Sequence, residues 1–112
     1  MDRKNLGIQI MDQASAINIV KQYIAHLKKR KIGVQKAYIF GSYARGNFRQ
    51  NSDIDLAVIM KNLTNSYLMQ VQLMKIGKNF DCRIEPHPID NKDFNVSNPF
   101  AKEILAHGIK IV

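Results

Sequence analysis

The sequence predicts a single α/β domain of the α+β type, with a mixed β-sheet flanked by helices. Three observations support this fold class: apolar residues recur at helical spacing in several segments, short β-branched or aromatic segments lie between them, and turn residues separate the two kinds. A chain of 112 residues with 46% hydrophobic residues can form one core. Because no repeat or linker divides it, we predict an N-terminal arm over residues 1–11 and one folded domain over residues 12–112.

The first predicted elements are a helix and a short strand. Asp12 or Ser15 can cap the start of the helix, and Gly33 marks its end. The apolar positions between them recur every three or four residues, which indicates one buried face. Lys36–Phe40 is rich enough in β-branched and aromatic residues to form a short buried strand, which ends at Gly41.

The middle of the chain predicts strand, helix and strand. Asp53–Met60 is a nearly continuous apolar run after its two acidic residues, which is typical of a strand covered on both faces. Ser66–Gly77 has the pattern of an amphipathic helix. Phe80–Glu85 predicts a third strand that ends at Pro86 and Pro88, because proline cannot donate a hydrogen bond to a sheet.

The end of the chain predicts a last helix and an edge strand. The helix covers about Pro99–His107 and ends at Gly108, and the residues 109–112 that follow form the edge strand. The sequence leaves the order and direction of the strands open.

The charge and the cysteine content limit the partners and the compartment. A formal net charge of +8, from 17 Lys plus Arg against 9 Asp plus Glu, attracts polyanions such as nucleoside triphosphates, nucleic acid or an acidic protein. Few aromatic residues accompany the basic ones, so nucleic-acid binding is not favoured. The single Cys82 and the absence of an apolar leader or membrane-length apolar segment predict a cytoplasmic protein without a membrane span.

Two acidic residues at the start of an apolar strand predict a cation site. Asp53 and Asp55 lie two positions apart on the predicted strand, so both side chains leave the same face, roughly 6.5–7 Å apart at Cα. Like charges this close repel each other unless a cation lies between them. Oxygen ligands suit a hard divalent ion such as Mg²⁺, and a pair of such ions is typical of phosphoryl and nucleotidyl transfer.

The loop before this strand predicts a phosphate site. Gly41 and Ser42 leave a strand and enter a tight turn, where backbone N–H groups and a hydroxyl can bind phosphate. Gly46 allows a second tight turn, and Arg45 and Arg49 offer guanidinium groups to phosphate oxygens.

The segment "GSYARGNFRQNSDIDLAV" resembles the nucleotidyltransferase superfamily of DNA polymerase beta, whose signature is Gly-Ser, ten residues, and Asp-x-Asp. The interval here, Tyr43 to Ser52, is ten residues long. The short chain resembles the minimal nucleotidyltransferase (MNT) proteins of bacteria and archaea. These are often encoded beside a helical HEPN partner as toxin–antitoxin pairs. The resemblance identifies residues 12–112 as an MNT domain.

The resemblance implies a role for each matching residue. Gly41 and Ser42 would bind the β- and γ-phosphates of ATP or another nucleoside triphosphate, and Arg45 would contact the same triphosphate. Asp53 and Asp55 would bridge two Mg²⁺ ions. An acceptor hydroxyl would then attack the α-phosphate, and pyrophosphate would leave.

The resemblance also implies a third carboxylate on a neighbouring strand. In the predicted third strand, alternation places Asp81, Arg83 and Glu85 on one face. We favour Glu85, because it lies at the end of the strand with an arginine two residues before it, as in the family; it would bind metal and accept the proton of the acceptor. Asp81 remains the alternative. For His87, two interpretations stay open: contact with metal or phosphate, or a rigid loop histidine.

These features lead to one main hypothesis and one alternative. The main hypothesis is an Mg²⁺-dependent nucleotidyltransferase that moves AMP from ATP to an acceptor hydroxyl, with a HEPN-type partner protein as acceptor. The alternative is an antitoxin of little activity that neutralises a HEPN partner by contact. Because no acceptor-binding domain follows in the sequence, we expect the partner or a homo-oligomer to bind the acceptor.

Overall fold

Four strands form one mixed sheet in this computed structural model, which describes residues 11–112. The predicted N-terminal arm of residues 1–11 lies outside the described residues except for Met11. In chain order the elements are α1 (Gln13–Lys29), β1 (Val34–Phe40), α2 (Ser42–Arg45), β2 (Ile54–Met60), α3 (Ser66–Gly77), β3 (Ile84–Asp90), a 3₁₀ turn (Asn91–Asp93), α4 (Pro99–His107) and β4 (Ile109–Lys110).

The strand order is β3-β2-β1-β4. Strand β1 is antiparallel to both β2 and β4, and β2 is parallel to β3, so the predicted mixed sheet with flanking helices is confirmed. The predicted helices α3 and α4 have the expected bounds, and β4 is an edge strand as expected. No helix within residues 11–112 is both long enough and apolar enough to cross a membrane.

Helix α1 begins where the sequence predicts but ends earlier. The Asp12 carboxylate accepts a hydrogen bond from the backbone N–H of Ser15 at 2.7 Å, so Asp12 is the cap. The predicted end at Gly33 is wrong. Lys31 adopts a left-handed conformation with φ 61°, and the backbone N–H of Ile32 donates to the Leu27 carbonyl at 3.1 Å. This is the hydrogen-bond pattern of a Schellman turn, formed here around a lysine where glycine is usual.

The two faces of the sheet are covered unequally. Helices α1 and α3 pack on one face and bury the larger hydrophobic cluster, which includes Tyr23, Leu27, Leu56 and Leu73. The other face has a small buried cluster around Ile104 of α4: Tyr38, Ala57, Ile59 and Ile104. Because side chains alternate along β2, residues 55, 57 and 59 point toward this second face. Position 55 therefore lies beside the edge of the smaller cluster.

Strand β3 corrects the predicted third strand. The strand does not cover Phe80–Glu85 but begins at Ile84 and continues through Pro86 and Pro88. It lies at the edge of the sheet, so only one side pairs with a neighbour. The side-chain amide of Gln70 donates to the Pro86 carbonyl at 3.0 Å, so this carbonyl faces away from β2. In a strand, the nitrogen and the carbonyl of one residue point to the same side. The nitrogen of Pro86 therefore also faces away from β2, and its missing N–H removes no ladder hydrogen bond.

We predict that Tyr23→Phe lowers the free energy of unfolding by about 1 kcal/mol. The buried Tyr23 hydroxyl donates to the Leu73 carbonyl at 2.7 Å and so joins α1 to α3. Urea denaturation measures the change. Tyr67→Phe is the matched control, because Tyr67 is 71% exposed and should lose almost nothing. Equal effects of the two substitutions would contradict a role for the hydrogen bond.

Candidate functional site

The pairing of three strands brings polar side chains together on the less covered face. Asp55 of β2 pairs with Phe40 of β1 on one side and with Glu85 of β3 on the other. Residues directly opposite on neighbouring strands lie about 4.8 Å apart and point to the same face. His87 follows two positions after Glu85 and pairs with Ala57, so its ring lies on this face as well. Two carboxylates and an imidazole thus share one short stretch of sheet.

Asp55, Glu85 and His87 have the geometry of a metal-binding group. Each offers one ligand atom, and these atoms lie within 4.8 Å of one another. The His87 Nε2 is 3.5 Å from Asp55 Oδ1. This Nε2 atom is buried and has no hydrogen-bond partner. The ring of Phe40 packs edge-on against the His87 ring, with centroids 5.2 Å apart, and limits its orientation.

The electrostatics of the group favour a bound cation. Burial raises the pKa of Glu85 above its ordinary value, and the nearby Asp55 and Asp53 carboxylates raise it further, whereas His87 lowers it. The carboxylates therefore repel one another. Oxygen ligands and one unpartnered nitrogen can hold a divalent ion, which would offset this repulsion. The two carboxylates thus fit the divalent ion that the sequence motif implies.

Asp53 lies at the rim of the group. It immediately precedes β2, and its side chain is exposed. It is not among the three side chains whose ligand atoms lie within 4.8 Å of one another, but it contacts Glu85 closely enough to affect the pKa of that carboxyl. The structure therefore places all three predicted carboxylates at one end of β2 and β3, with Asp55 and Glu85 at the centre.

Asp81, the alternative third carboxylate, is engaged elsewhere. It lies in the turn before β3, so the predicted alternation of Asp81, Arg83 and Glu85 along one strand is wrong. Both Asp81 oxygens accept hydrogen bonds from the Arg83 guanidinium at 2.9 Å. This hydrogen bonding lowers the pKa of Asp81. The structure brings Glu85, and not Asp81, next to Asp55.

The backbone of Gly41 passes directly beside Asp55. Gly41 has φ 73° and ψ −148°, a region that essentially only glycine adopts, and it precedes the short helix α2. A Cβ atom built on Gly41 would overlap Asp55 Oδ2 and lie 3.3 Å from Asp55 Cγ. Gly46 ends α2 with φ 82°, so the predicted second tight turn is confirmed. The Gly-Ser turn and the carboxylates are therefore adjacent in space as well as linked in sequence.

Tyr43 anchors the loop that contains the predicted phosphate-binding residues. Its buried ring stacks on Phe48, with centroids 4.3 Å apart, and its carbonyl accepts a hydrogen bond from the Gln13 side-chain amide at 2.7 Å. On the outer side of this anchor, Ser42 is half-buried and Arg45 is exposed. The loop is thus fixed to the core, whereas these two side chains remain available to a ligand.

The loop position that the sequence suggested for His87 is wrong, because His87 lies within β3. The two prolines around it suggested a loop after the third strand. For a residue in a loop, the sequence does not predict which way the side chain points. In the observed strand, His87 and Glu85 share a face because they are two residues apart. The signal that could have identified His87 was this spacing of two.

Comparison with known proteins supports the likeness to nucleotidyltransferases. Residues 21–112 match the sequence model of the family described as "Polymerase beta, Nucleotidyltransferase". The chain is 31% identical over 93 residues to a Methanocaldococcus jannaschii protein named "Putative protein adenylyltransferase", and the match covers 80% of this chain and 90% of that protein.

Solved structures share the fold. A chain of a toxin–antitoxin crystal structure with AMP-PNP aligns with a TM-score of 0.59 at 24% identity, over 82% of this chain and 72% of that chain. A chain from the complex of a tri-AMPylated HEPN toxin and an MNT antitoxin of Shewanella oneidensis aligns with a TM-score of 0.54 at 20% identity, over 89% and 71%. At these identities, the likeness concerns the fold.

We predict that Gly41→Ala destabilises the protein more than Gly46→Ala. Both substitutions force a side chain into a positive-φ conformation, at a cost of about 1–3 kcal/mol each. Gly46→Ala meets no atom within 4 Å, whereas Gly41→Ala also displaces the Asp55 carboxylate. Urea denaturation of both variants measures the difference. Equal losses of stability would show that Asp55 moves aside without cost.

We predict that Asp81→Asn lowers stability at neutral pH on the order of 1–2 kcal/mol, because it removes the charge that pairs with Arg83. The pKa of Asp81 is lowered from 3.8 in the folded protein, so its stabilisation is complete above that value and is lost as the pH falls below it. Urea denaturation between pH 7 and pH 3 should therefore show a shrinking difference from wild type. The exposed Asp93 provides the control, and Asp93→Asn should change the stability little at pH 7.

Proposed function

The chain belongs to the polymerase beta nucleotidyltransferase family, and on this basis we propose that it transfers AMP from ATP to a hydroxyl group on a partner protein. It is a nucleotidyltransferase by family. The observation that carries the finer proposal is the convergence of Asp55 and Glu85 on one face of the sheet, directly beside Gly41. A triphosphate bound at the Gly-Ser turn would lie next to these carboxylates.

The named activities of relatives support AMP and a protein acceptor. The Methanocaldococcus jannaschii relative is named "Putative protein adenylyltransferase". The toxin–antitoxin structure holds the ATP analogue AMP-PNP, and the Shewanella oneidensis HEPN toxin carries AMP groups in its complex with an MNT antitoxin. We therefore propose a HEPN-type protein as the partner of this chain and an antitoxin role for the transfer. The net charge of +8 is favourable for binding a triphosphate.

We assign the metal ligands to the predicted carboxylates. Asp55 and Glu85 would hold Mg²⁺ at the centre of the site, and Asp53 would complete the binding of a second ion at the rim. When bound, divalent ions offset the charge of the triphosphate and of the leaving pyrophosphate. In the free protein, burial and then the nearby Asp55 and Asp53 carboxylates raise the pKa of Glu85, so a cation would relieve an unfavourable arrangement.

The Gly-Ser turn positions the nucleotide. Gly41 and Ser42 would bind the β- and γ-phosphates, since the missing side chain of Gly41 lets the backbone approach the site closely. Arg45 is exposed at the end of α2 and would contact the same triphosphate. The buried Tyr43 between them keeps this loop in place.

The transfer itself requires one bond to form and one to break. The acceptor oxygen attacks the α-phosphorus of ATP, and the bond from that phosphorus to the oxygen bridging the β-phosphate breaks, which releases pyrophosphate. Glu85 accepts the proton of the acceptor hydroxyl. Its position opposite Asp55, at the centre of the site, supports this role.

We propose that another protein molecule presents the acceptor. Large apolar side chains on α3 are exposed, with Tyr67 at 71% and Leu68 at 60%. Exposed apolar residues of this size are typical of protein contact surfaces. They favour docking of the HEPN-type partner, although a second copy of this chain could present an acceptor in the same way.

These exposed residues also favour a second candidate function. An antitoxin that neutralises its HEPN partner by contact would use Tyr67 and Leu68 without needing the carboxylates. The two functions predict different effects of the same substitutions.

We predict that Asp55→Asn and Glu85→Gln each lower AMP transfer by at least about 100-fold, because each removes a metal-binding charge. The assay combines the protein, Mg²⁺ and radiolabelled ATP with a candidate HEPN-type partner protein, and intact mass counts the AMP groups added. Addition of EDTA should stop the transfer. Asp93→Asn, which changes an exposed carboxylate in the 3₁₀ turn, should leave it unchanged.

The outcome for neutralisation separates the two functions. If Asp55→Asn abolishes transfer and also abolishes toxin neutralisation, transfer is the mechanism. If neutralisation survives Asp55→Asn but is lost with a double Tyr67→Ser and Leu68→Ser variant, contact is the mechanism. Failure of the wild-type protein to label any partner would overturn the proposed transfer.

A further inference from the structure

We infer that His87 is a metal ligand and that it gives this site a preference for a transition ion such as Mn²⁺ over Mg²⁺. The inference rests on the proposed function only in placing a metal at Asp55 and Glu85. It concerns the third side chain of that group, an imidazole, which contributes nitrogen where the other donors contribute oxygen.

The distance between His87 and Asp55 fits two ligands of one ion. His87 Nε2 and Asp55 Oδ1 are 3.5 Å apart, and no hydrogen bond joins them. A charge-assisted hydrogen bond would be about 2.7–2.9 Å long. Two atoms that each lie about 2.1 Å from one ion are about 3 Å apart when they occupy adjacent coordination positions. If His87 Nε2 and Asp55 Oδ1 moved about 0.5 Å closer together, both atoms could bind one ion.

The His87 Nε2 atom lacks any other partner. It is buried, and no protein group in residues 11–112 accepts or donates a hydrogen bond to it. A buried polar atom is costly to leave unpaired, so such an atom commonly marks a position for a ligand or ion. Glu85 also lies within reach, since all three ligand atoms are within 4.8 Å of one another. An ion at this point would satisfy the nitrogen and both carboxylates together.

The surroundings hold the imidazole ring toward the carboxylates. Phe40 packs edge-on against the ring at 5.2 Å, and Phe100 of α4 packs in turn against Phe40 at 5.3 Å. Strand β3 carries His87 between two prolines, whose fixed backbone angles restrict the strand there. The residue opposite on β2 is Ala57, whose side chain is a single methyl group. The ligand is thus preorganised in the absence of metal.

The donor chemistry sets the preferred ion. Mg²⁺ binds through oxygen, retains several waters and rarely accepts nitrogen. Imidazole together with carboxylate suits first-row transition ions, and Mn²⁺ accepts both kinds of donor. A site with only Asp53, Asp55 and Glu85 would not distinguish these ions by donor type. The nitrogen of His87 provides that distinction.

Electron paramagnetic resonance of Mn²⁺ tests the inference without ATP or an acceptor. We expect the untagged full chain to bind Mn²⁺, and pulsed spectra to show a directly coordinated imidazole nitrogen. His87→Gln should remove the nitrogen signal and weaken Mn²⁺ binding about tenfold or more, while Mg²⁺ binding, measured by competition, falls less. His26→Gln is the matched control, since His26 contacts Phe80 and lies outside the metal-binding group.

A double variant, His26→Gln with His107→Gln, keeps the test decisive if His87→Gln fails to fold. The sequence has three histidines, so this variant leaves His87 as the only one and should keep the nitrogen signal. Three results would each overturn the inference. The wild type could show no nitrogen signal, the double variant could lose that signal, or folded His87→Gln could bind Mn²⁺ with unchanged affinity. Because binding is measured without nucleotide, coordination of Mn²⁺ by His87 can be found even if no AMP transfer occurs. If AMP transfer occurs but His87 does not coordinate Mn²⁺, only the role of His87 is refuted.

Discussion

The parallel pairing of β2 with β3 is the constraint on which the candidate site depends. It sets Asp55 directly opposite Glu85, at the spacing of neighbouring strands, on a face that helices leave partly open. Two carboxylates at that spacing repel each other, and the core on the other face prevents the strands from separating to relieve the repulsion. The fold therefore holds in place an arrangement of negative charge that a cation would stabilise. The Gly-Ser turn and His87 are both placed around these two carboxylates.

The Gly-Ser turn illustrates how closely the site is assembled. Any side chain at position 41 would occupy the space of the Asp55 carboxylate, so the glycine is needed both for its backbone conformation and for its missing Cβ atom. The proposed phosphate-binding backbone and the proposed metal ligand are thus immediate neighbours. In the proposed reaction, that proximity would place the triphosphate beside the ions without a conformational change of the strands.

Much of the fold could be predicted from local patterns, whereas the completed site required knowledge of strand pairing. Periodicity identified Ser66–Gly77 and Pro99–His107 as helices, and the apolar run after Asp53 identified β2. The predicted bounds of β3 were wrong because proline excludes a strand only where its missing N–H would face a neighbouring strand. Which side of a strand has a neighbour depends on the strand order of the whole sheet. Residue type alone did not separate Asp81 from Glu85, and the preference for Glu85 came from the resemblance. The choice depends on a turn that pairs Asp81 with Arg83 and on a register that begins only at Ile84.

The two prolines of β3 have a further consequence for assembly. An exposed edge of a sheet normally invites another extended chain to pair with it, and proteins suppress this by removing donors or by keeping edge strands short. Pro86 and Pro88 remove two successive donors on the outer side of β3, and the strand at the opposite edge, Ile109–Lys110, is only two residues long. Neither border can readily accept a foreign strand. A protein that reaches the carboxylates past β3 must therefore approach with side chains, loops or a helix, and recognition by β-strand addition is disfavoured at the very edge that carries the ligands.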